Sequence, residues 1–216
     1  LYIIPIVCLI ILQNDFGTAL VFIFFIAFML FAAGISYKYV VGAIVLGILS
    51  FPLLWYYVFE DYQRKRILVF LNPEMEPLGR GYHVIQSKIA VGSGQFWGKG
   101  LYQGTQNNLG FIPERHTDFI FSVIGEEMGL VGSLAVILLF MLLLMRCIYI
   151  ANISKDSFGK YICVGVMAMF LFHVLENIGM TIGMMPVTGI PLPFVSYGGS
   201  SLLTNLIAVG LVLNVG

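Results

Sequence analysis

Residues 16–34 read FGTALVFIFFIAFMLFAAG, with no ionisable side chain among them. Crossing the hydrocarbon region of a bilayer takes about 20 apolar residues as a helix, because every backbone N–H and C=O must be satisfied within the segment. This stretch qualifies, and residues 39–59, YVVGAIVLGILSFPLLWYYVF, qualify again. Outward from these two, an apolar run at 128–145 continues a span that starts near 119. A further span covers 161–185, another at 200–216 is cut short by the chain end, and 1–12 read as the end of a helix whose start lies upstream. The expected fold class is all-α, a polytopic integral membrane protein. About six transmembrane helices are expected, at 1–12, 16–34, 39–59, 119–145, 161–185 and 200–216, in a single membrane domain over residues 1–216.

Composition agrees. Of 216 residues, 59% are hydrophobic and only 10% charged, and the mean hydropathy is +0.96, far from the make-up of an ordinary soluble domain. The net charge is zero, which argues against nucleic acid as a partner. No basic leader precedes a cleavage site, so residues 1–12 do not read as a signal peptide, and the chain reads as cut at both ends. Cys8, Cys147 and Cys163 lie in or beside apolar spans without CxxC spacing and are expected to be small buried thiols.

Helices in series alternate sides of the membrane, so the connection 13–15, the long loop 60–118 and the turn 186–196 share one face. The long loop holds seven of the eleven Lys and Arg residues. A bare count would put it inside the cell, and Arg64, Lys65 and Arg66 sit near a span end, where such charges carry weight. Its basic residues are matched, however, by Glu60, Asp61, Glu74, Glu76, Glu114 and Asp118. The short opposite loops carry Lys38, Arg146, Lys155 and Lys160 against Asp156 alone. That imbalance favours the long loop outside.

A loop of this length should have structure of its own. YHVIQSKIAV, residues 82–91, places Tyr82, Ile85 and Ile89 on one helical face and Ser87 and Lys88 away from it, the pattern of a short interfacial helix. The segment after it, GSGQFWGKG, can turn tightly over a partner, with Trp97 at a headgroup boundary. It fails as a phosphate loop, which needs Gly where Ser93 stands and Ser or Thr where Gly100 stands.

Ionisable groups at membrane depth are expensive and are functional candidates. Asp15 and Asp118 each stand just before a span, so each can be a helix cap, with Thr117 an alternative cap to Asp118, or a carboxylate of a site, and for Asp15 the two readings are compatible. Asp118 has charged company in Glu114, Arg115 and His116, which can shift a pKa toward general-base use. Glu126 and Glu127 lie about two turns deeper and point about 100° apart, so at least one needs a polar partner, a hydrogen bond to another helix being favoured. His173 and Glu176 share a helical face. They read as half of a metal site without its second half, or as a buried interhelical hydrogen bond. The turn MMPVTGIPLPFVSYGGSS, residues 184–201, is irregular backbone that survives at membrane depth only where it lines a cavity. The composite is a polar cleft walled by apolar helices, suited to a ligand with a polar head and a lipid tail.

Four stretches in order, QNDFGTALV, GSGQFWGKGL, FIPERHTDFIFSVIGEEMG and GIPLPFVSYGGSSLL, resemble the SEDS family (shape, elongation, division and sporulation proteins) over essentially the whole chain. The likeness is greatest to its rod-shape-determining RodA branch, with the division branch, FtsW, close to it. The resemblance implies a ten-helix protein of the bacterial cytoplasmic membrane, of which this chain matches about helices five to ten, with the long loop outside. It implies a peptidoglycan glycosyltransferase that polymerises lipid II into glycan strands during cell elongation, with a class B penicillin-binding protein as transpeptidase partner and ties to the cell-shape machinery. The essential aspartate of the family's HTDF motif falls on Asp118, and that of its Q-x-D-x-GT motif on Asp15, here flanked by Asn14 and Phe16 where proline and leucine are common. The family's earlier PSE motif is absent, so the isolated chain is expected to be inactive.

That chemistry needs a base for the sugar 4-hydroxyl and positive charge for the departing diphosphate. The expected base is Asp118. Arg115 and Lys99 are candidates for the diphosphate, with a divalent cation such as magnesium or manganese as a possible aid. Asp15, Glu114, His116 and Ser196 complete the candidate substrate contacts. Two other classes stay open: a lipid II flippase using the same cleft, and a non-enzymatic membrane scaffold for a transpeptidase.

Overall fold

The structure is a computed structural model that describes residues 3–13, 15–57, 59–76 and 79–216. These residues form helices and connections, with no strand among them. In chain order the helices are α1 (Ile3–Leu12), α2 (Phe16–Ala32), α3 (Tyr37–Tyr57), α4 (Asp61–Leu71), α5 (Arg80–Ser93), α6 (Thr105–Asn108), α7 (Ile120–Ile153), α8 (Ser157–Thr181) and α9 (Gly199–Val215). Asn14, which departs from the family motif, lies outside the described residues.

By length and composition α7 and α8 are long and apolar enough to cross a membrane, and shorter apolar helices occur at Gly17–Ala32, Tyr37–Leu53 and Gly199–Val215. Helix α8 is the hub, packed against α2, α7 and α9. Its Cys163 and Met167 join Cys147, Ile150, Ala151 and Val212 in one buried cluster, and its Val174 joins Phe121, Phe140 and Leu192 in another. Outward-facing apolar side chains such as Leu138, Leu139 and Leu142 of α7 are exposed, as a lipid-facing surface must be. Helix α3 leaves Val45, Leu46, Ile48 and Leu49 exposed. Of the three cysteines, Cys147 and Cys163 are buried thiols, but Cys8 is exposed.

Helix α7 runs past the expected end at residue 145 to Ile153, and it is two helices joined across a kink. Gly129 interrupts it with φ 65° and ψ −159°, a backbone conformation open mainly to glycine. A break frees backbone donors and acceptors, which cannot stay unpaired at this depth. The glycine-rich segment after α5 takes them up. Leu130 N donates to Gln95 O at 2.8 Å and Val131 N to Phe96 O at 3.2 Å, while Lys99 N and Gly100 N donate to Glu126 O and Glu127 O, each at 3.0 Å. Residues 130–153 that follow are roughly 36 Å of helix at 1.5 Å per residue, enough to span by themselves. The segment 92–100 is thus a clamp on a broken helix.

Helix α5 exists as expected, but its buried face differs from the one read in the sequence. Val84, Ser87 and Ala90 are buried, Ser87 and Ala90 completely, whereas Ile89 is 45% exposed. The cause is close approach. Small side chains let α5 lie against α7 and α8, and the Ser87 hydroxyl is satisfied by donating to the Thr181 carbonyl at 2.8 Å. Helix packing selected size here rather than hydrophobicity.

Candidate functional site

Two helices, α7 and α9, begin side by side on the loop face, and α2 begins across the proline-glycine turn from them. Asp15 caps α2: its Oδ1 accepts from Thr18 N at 3.1 Å and its Oδ2 from Thr18 Oγ1 at 2.6 Å. The cap reading therefore holds, and Asp15 remains exposed. Two residues on, Gly17 meets the proline-glycine turn so closely that a β-carbon there would stand 3.1 Å from Thr188 Cβ. On the other side of that turn a β-carbon on Gly189 would lie 3.3 Å from Asp118 Oδ2. The turn is a partition, with Asp15 at the head of α2 near one side of it and Asp118 at the head of α7 on the other.

The start of α9 closes the third side. Ser196 Oγ donates to the Thr117 carbonyl at 2.6 Å and accepts from Leu192 N at 2.7 Å. Tyr197 N donates to the His116 carbonyl at 2.9 Å. These bonds hold the Gly199 end of α9 beside residues 116–118. Between them lies a cavity of about 690 Å³ lined by His116, Ile120, Ser196, Tyr197, Gly198 and Leu202 among others. Each helix N-terminus carries partial positive charge from its unpaired N–H groups, so the adjoining ends of α7 and α9 form a surface suited to an anion.

Asp118 is half-buried. Burial pushes its carboxyl above the ordinary value of 3.8, the nearby Glu114 charge pushes it further, and the Thr117 hydroxyl pulls the other way. Such a group is a better base than a free carboxylate. Glu114 is exposed and accepts from Thr117 Oγ1 at 3.2 Å, and Arg115 Nε donates to His116 Nε2 at 3.2 Å. The structure thus brings Asp118, Glu114, Arg115, His116 and Ser196 together, with Asp15 across the turn.

Lys99 is held in an ion pair. Its ammonium lies 2.8 Å from Glu126 Oε1 and donates to Thr105 Oγ1 at 2.8 Å. Glu126, wholly buried, also accepts from Gln106 N at 2.9 Å and from Asn107 N at 3.1 Å and Nδ2 at 2.5 Å. The polar partner expected for Glu126 is present, but it is the loop and the short helix α6, where another membrane helix was expected. Glu176 likewise bonds to the turn, accepting from Thr188 Oγ1 at 2.9 Å, while His173 Nδ1 is buried without a hydrogen bond. Among the described residues no group of three or more His, Cys, Asp or Glu side chains comes together as a metal cage.

Comparison with known families decides the kinship: the model for FtsW, RodA and SpoVE, described as cell cycle protein, matches residues 1–216. The chain belongs to the FtsW/RodA/SpoVE family. Among relatives, it is 47% identical over 203 residues to the peptidoglycan glycosyltransferase MrdB of Escherichia coli K12, covering 94% of this chain and 55% of that protein. It is 45% identical over 192 residues to the peptidoglycan glycosyltransferase RodA of Treponema pallidum, covering 89% of this chain and 42% of that one. The chain spans about half the length of the curated relatives it matches.

Solved structures of the family agree. One, described as structural coordination of polymerization and crosslinking by a peptidoglycan synthase complex, superposes with TM-score 0.78 at 36% identity over 97% of this chain and 57% of that one. Another, an aspartate-to-alanine mutant of the Thermus thermophilus rod-shape-determining protein RodA, gives TM-score 0.62 at 31% identity over 97% and 52%.

Two residues of the site escaped the sequence reading. Gly189, with φ +81°, leaves room for the Asp118 carboxylate. Asn177, completely buried on α8, donates from Nδ2 to the Asp118 and Ile190 carbonyls, both at 2.8 Å. The signal for Asn177 was a lone amide in an apolar span, overshadowed by its ionisable neighbour Glu176.

Proposed function

We propose that the full-length protein is a peptidoglycan glycosyltransferase of the bacterial cytoplasmic membrane that polymerises lipid II, with the face bearing residues 60–118 outside. The observation that carries this reading is a half-buried carboxylate of raised pKa, Asp118, close to the N-termini of α7 and α9 and beside a cavity with an apolar wall. The names of the relatives, peptidoglycan glycosyltransferases of both the MrdB/RodA and FtsW kinds, support the same reaction.

Asp118 accepts the proton of the acceptor sugar's 4-hydroxyl as that oxygen bonds to the donor's anomeric carbon. The bond from that carbon to the lipid diphosphate breaks with its electron pair on the departing phosphate. Arg115 and the helix ends favour the charge that develops there, and the apolar flanks suit the prenyl chain. A cation bound with the diphosphate would draw on Asp118 or Glu114 together with phosphate oxygens, in the manner of magnesium. We further assign to the whole protein a transpeptidase partner of the class B penicillin-binding kind and a role in the elongation machinery. This fits the synthase complex with which the fold superposes.

The test uses purified full-length protein and lipid II, with glycan strands read on a gel. Asp118→Asn should make no polymer while remaining folded. Polymer made at the wild-type rate would remove the assignment, and lipid scrambling that persists in the inactive variant would mark transport as a separate property.

A further inference from the structure

Asn177 has none of its surface exposed. A side-chain amide nitrogen carries two N–H donors, and both are spent here, one on the Asp118 carbonyl and one on the Ile190 carbonyl, each at 2.8 Å. The Oδ1 of the same amide is buried without a hydrogen-bond partner. Leaving an acceptor unmet in a buried place is unfavourable, so the position is organised around the two donors.

Those two carbonyls belong to different walls of the site. Asp118 closes the segment that leads into α7, while Ile190 follows Gly189, the residue that faces the Asp118 carboxylate. A single amide on α8 therefore fixes the backbone that carries the carboxylate and, at the same time, the surface the carboxylate looks onto. The neighbouring bonds do other work: Thr188 is tied to Glu176, and Ser196 to Thr117.

We propose that Asn177 is a positioning residue for Asp118, setting the distance between that carboxylate and the acceptor sugar. The inference rests on the reading of Asp118 as the base in glycan polymerisation. It separates rate from affinity, because the lipid substrate is held by the cavity and the helix ends whereas the reacting geometry depends on the amide. A misplaced catalytic group lowers the chemical step by about 10- to 100-fold.

The experiment measures kcat and KM for lipid II polymerisation by full-length protein, per mole of monodisperse folded enzyme. Asn177→Leu and Asn177→Ser are compared with wild type and with Asp118→Asn. Leucine keeps the number and branching of heavy atoms, is somewhat bulkier and removes both donors, and serine is smaller and keeps one. The expected result is a kcat lowered about 10- to 100-fold by leucine with KM within twofold, and a smaller loss with serine. Wild-type kcat in either folded variant overturns the inference, as does a loss confined to KM. Failure of both variants to fold marks Asn177 as holding the fold and overturns it too. If Asp118→Asn itself polymerises normally, it is the assignment of the base that falls, an outcome distinct from normal kcat in the Asn177 variants alone.

Discussion

Gly189 and Asp118 are packed so closely that a β-carbon on the glycine would stand 3.3 Å from Asp118 Oδ2. The glycine also has φ +81°, a region that costs an L-residue roughly 1–2 kcal/mol. Gly189→Ala should therefore leave a folded protein of slightly lower stability whose Asp118 carboxylate is displaced. Polymerisation by the full-length variant is expected to fall by about tenfold or more. Wild-type turnover in Gly189→Ala would show that the partition tolerates crowding and that Asp118 does not depend on it.

The environment of Asp118 predicts a pH profile with two opposed controls. Burial, and secondarily Glu114, hold its carboxyl above 3.8, while the Thr117 hydroxyl lowers it. The base form is the ionised one, so activity should decline as pH falls through this raised value, earlier than an ordinary carboxylate would allow. Glu114→Gln should move that acid limb to lower pH, and Thr117→Val should move it to higher pH. The corresponding stability sign is that the fold favours protonated Asp118, so its ionisation at neutral pH works against stability. Asp118→Asn should thus be at least as stable as wild type at pH 7 while inactive, which thermal unfolding in detergent checks.

Most of the frame of this site was legible in the sequence, since uncharged spans and their alternation already put residues 13–15, 60–118 and 186–196 on one face. The residues alone left Asp118 as either a helix cap or a carboxylate of a site, and the resemblance of its HTDF stretch to the family motif singled it out. What stayed hidden depends on contacts between distant segments. Lys99 looked like a free cation for phosphate until the fold paired it with a glutamate 27 residues away. The buried face of α5 is built from Ser87 and Ala90, whose small size matters only against a partner. The break at Gly129 left no mark on the hydropathy pattern, because apolar residues continue on both sides.

The Glu126 cage predicts unequal single variants. Removing the carboxylate strands Lys99 and frees the Gln106 and Asn107 amides that it accepts. Lys99 keeps 27% of its side chain exposed and can turn to solvent, so the cost of Glu126→Ala, about 2–4 kcal/mol, comes chiefly from the buried amides left without an acceptor. Lys99→Met should cost less, since Thr105, Gln106 and Asn107 still donate to the carboxylate. The double variant should be no worse than Glu126→Ala, because the lysine then has nothing left to pair with. Unfolding midpoints that instead add across the two single variants would show that Lys99 and Glu126 act independently.

The clamp at the α7 break gives the last prediction. A β-carbon on Gly129 would stand 2.3 Å from Gly98 N and 2.7 Å from Phe96 O, and one on Gly98 would stand 2.1 Å from Glu127 O. All three obstacles are backbone atoms, which cannot swing aside as a side chain would. The φ of +65° at Gly129 adds strain for any other residue. Gly129→Ala should therefore undock residues 95–100, leave the amides of Leu130 and Val131 unpaired, and cost about 2–4 kcal/mol. Trypsin cleavage after Lys99 should become faster than in wild type as the segment lifts off. Gly92→Ala is the matched control, because a β-carbon there meets nothing within 4 Å and alanine is the better helix former by about 1 kcal/mol. Equal protease resistance in both variants would mean that the glycine-rich segment does not rely on close backbone contact to hold the broken helix.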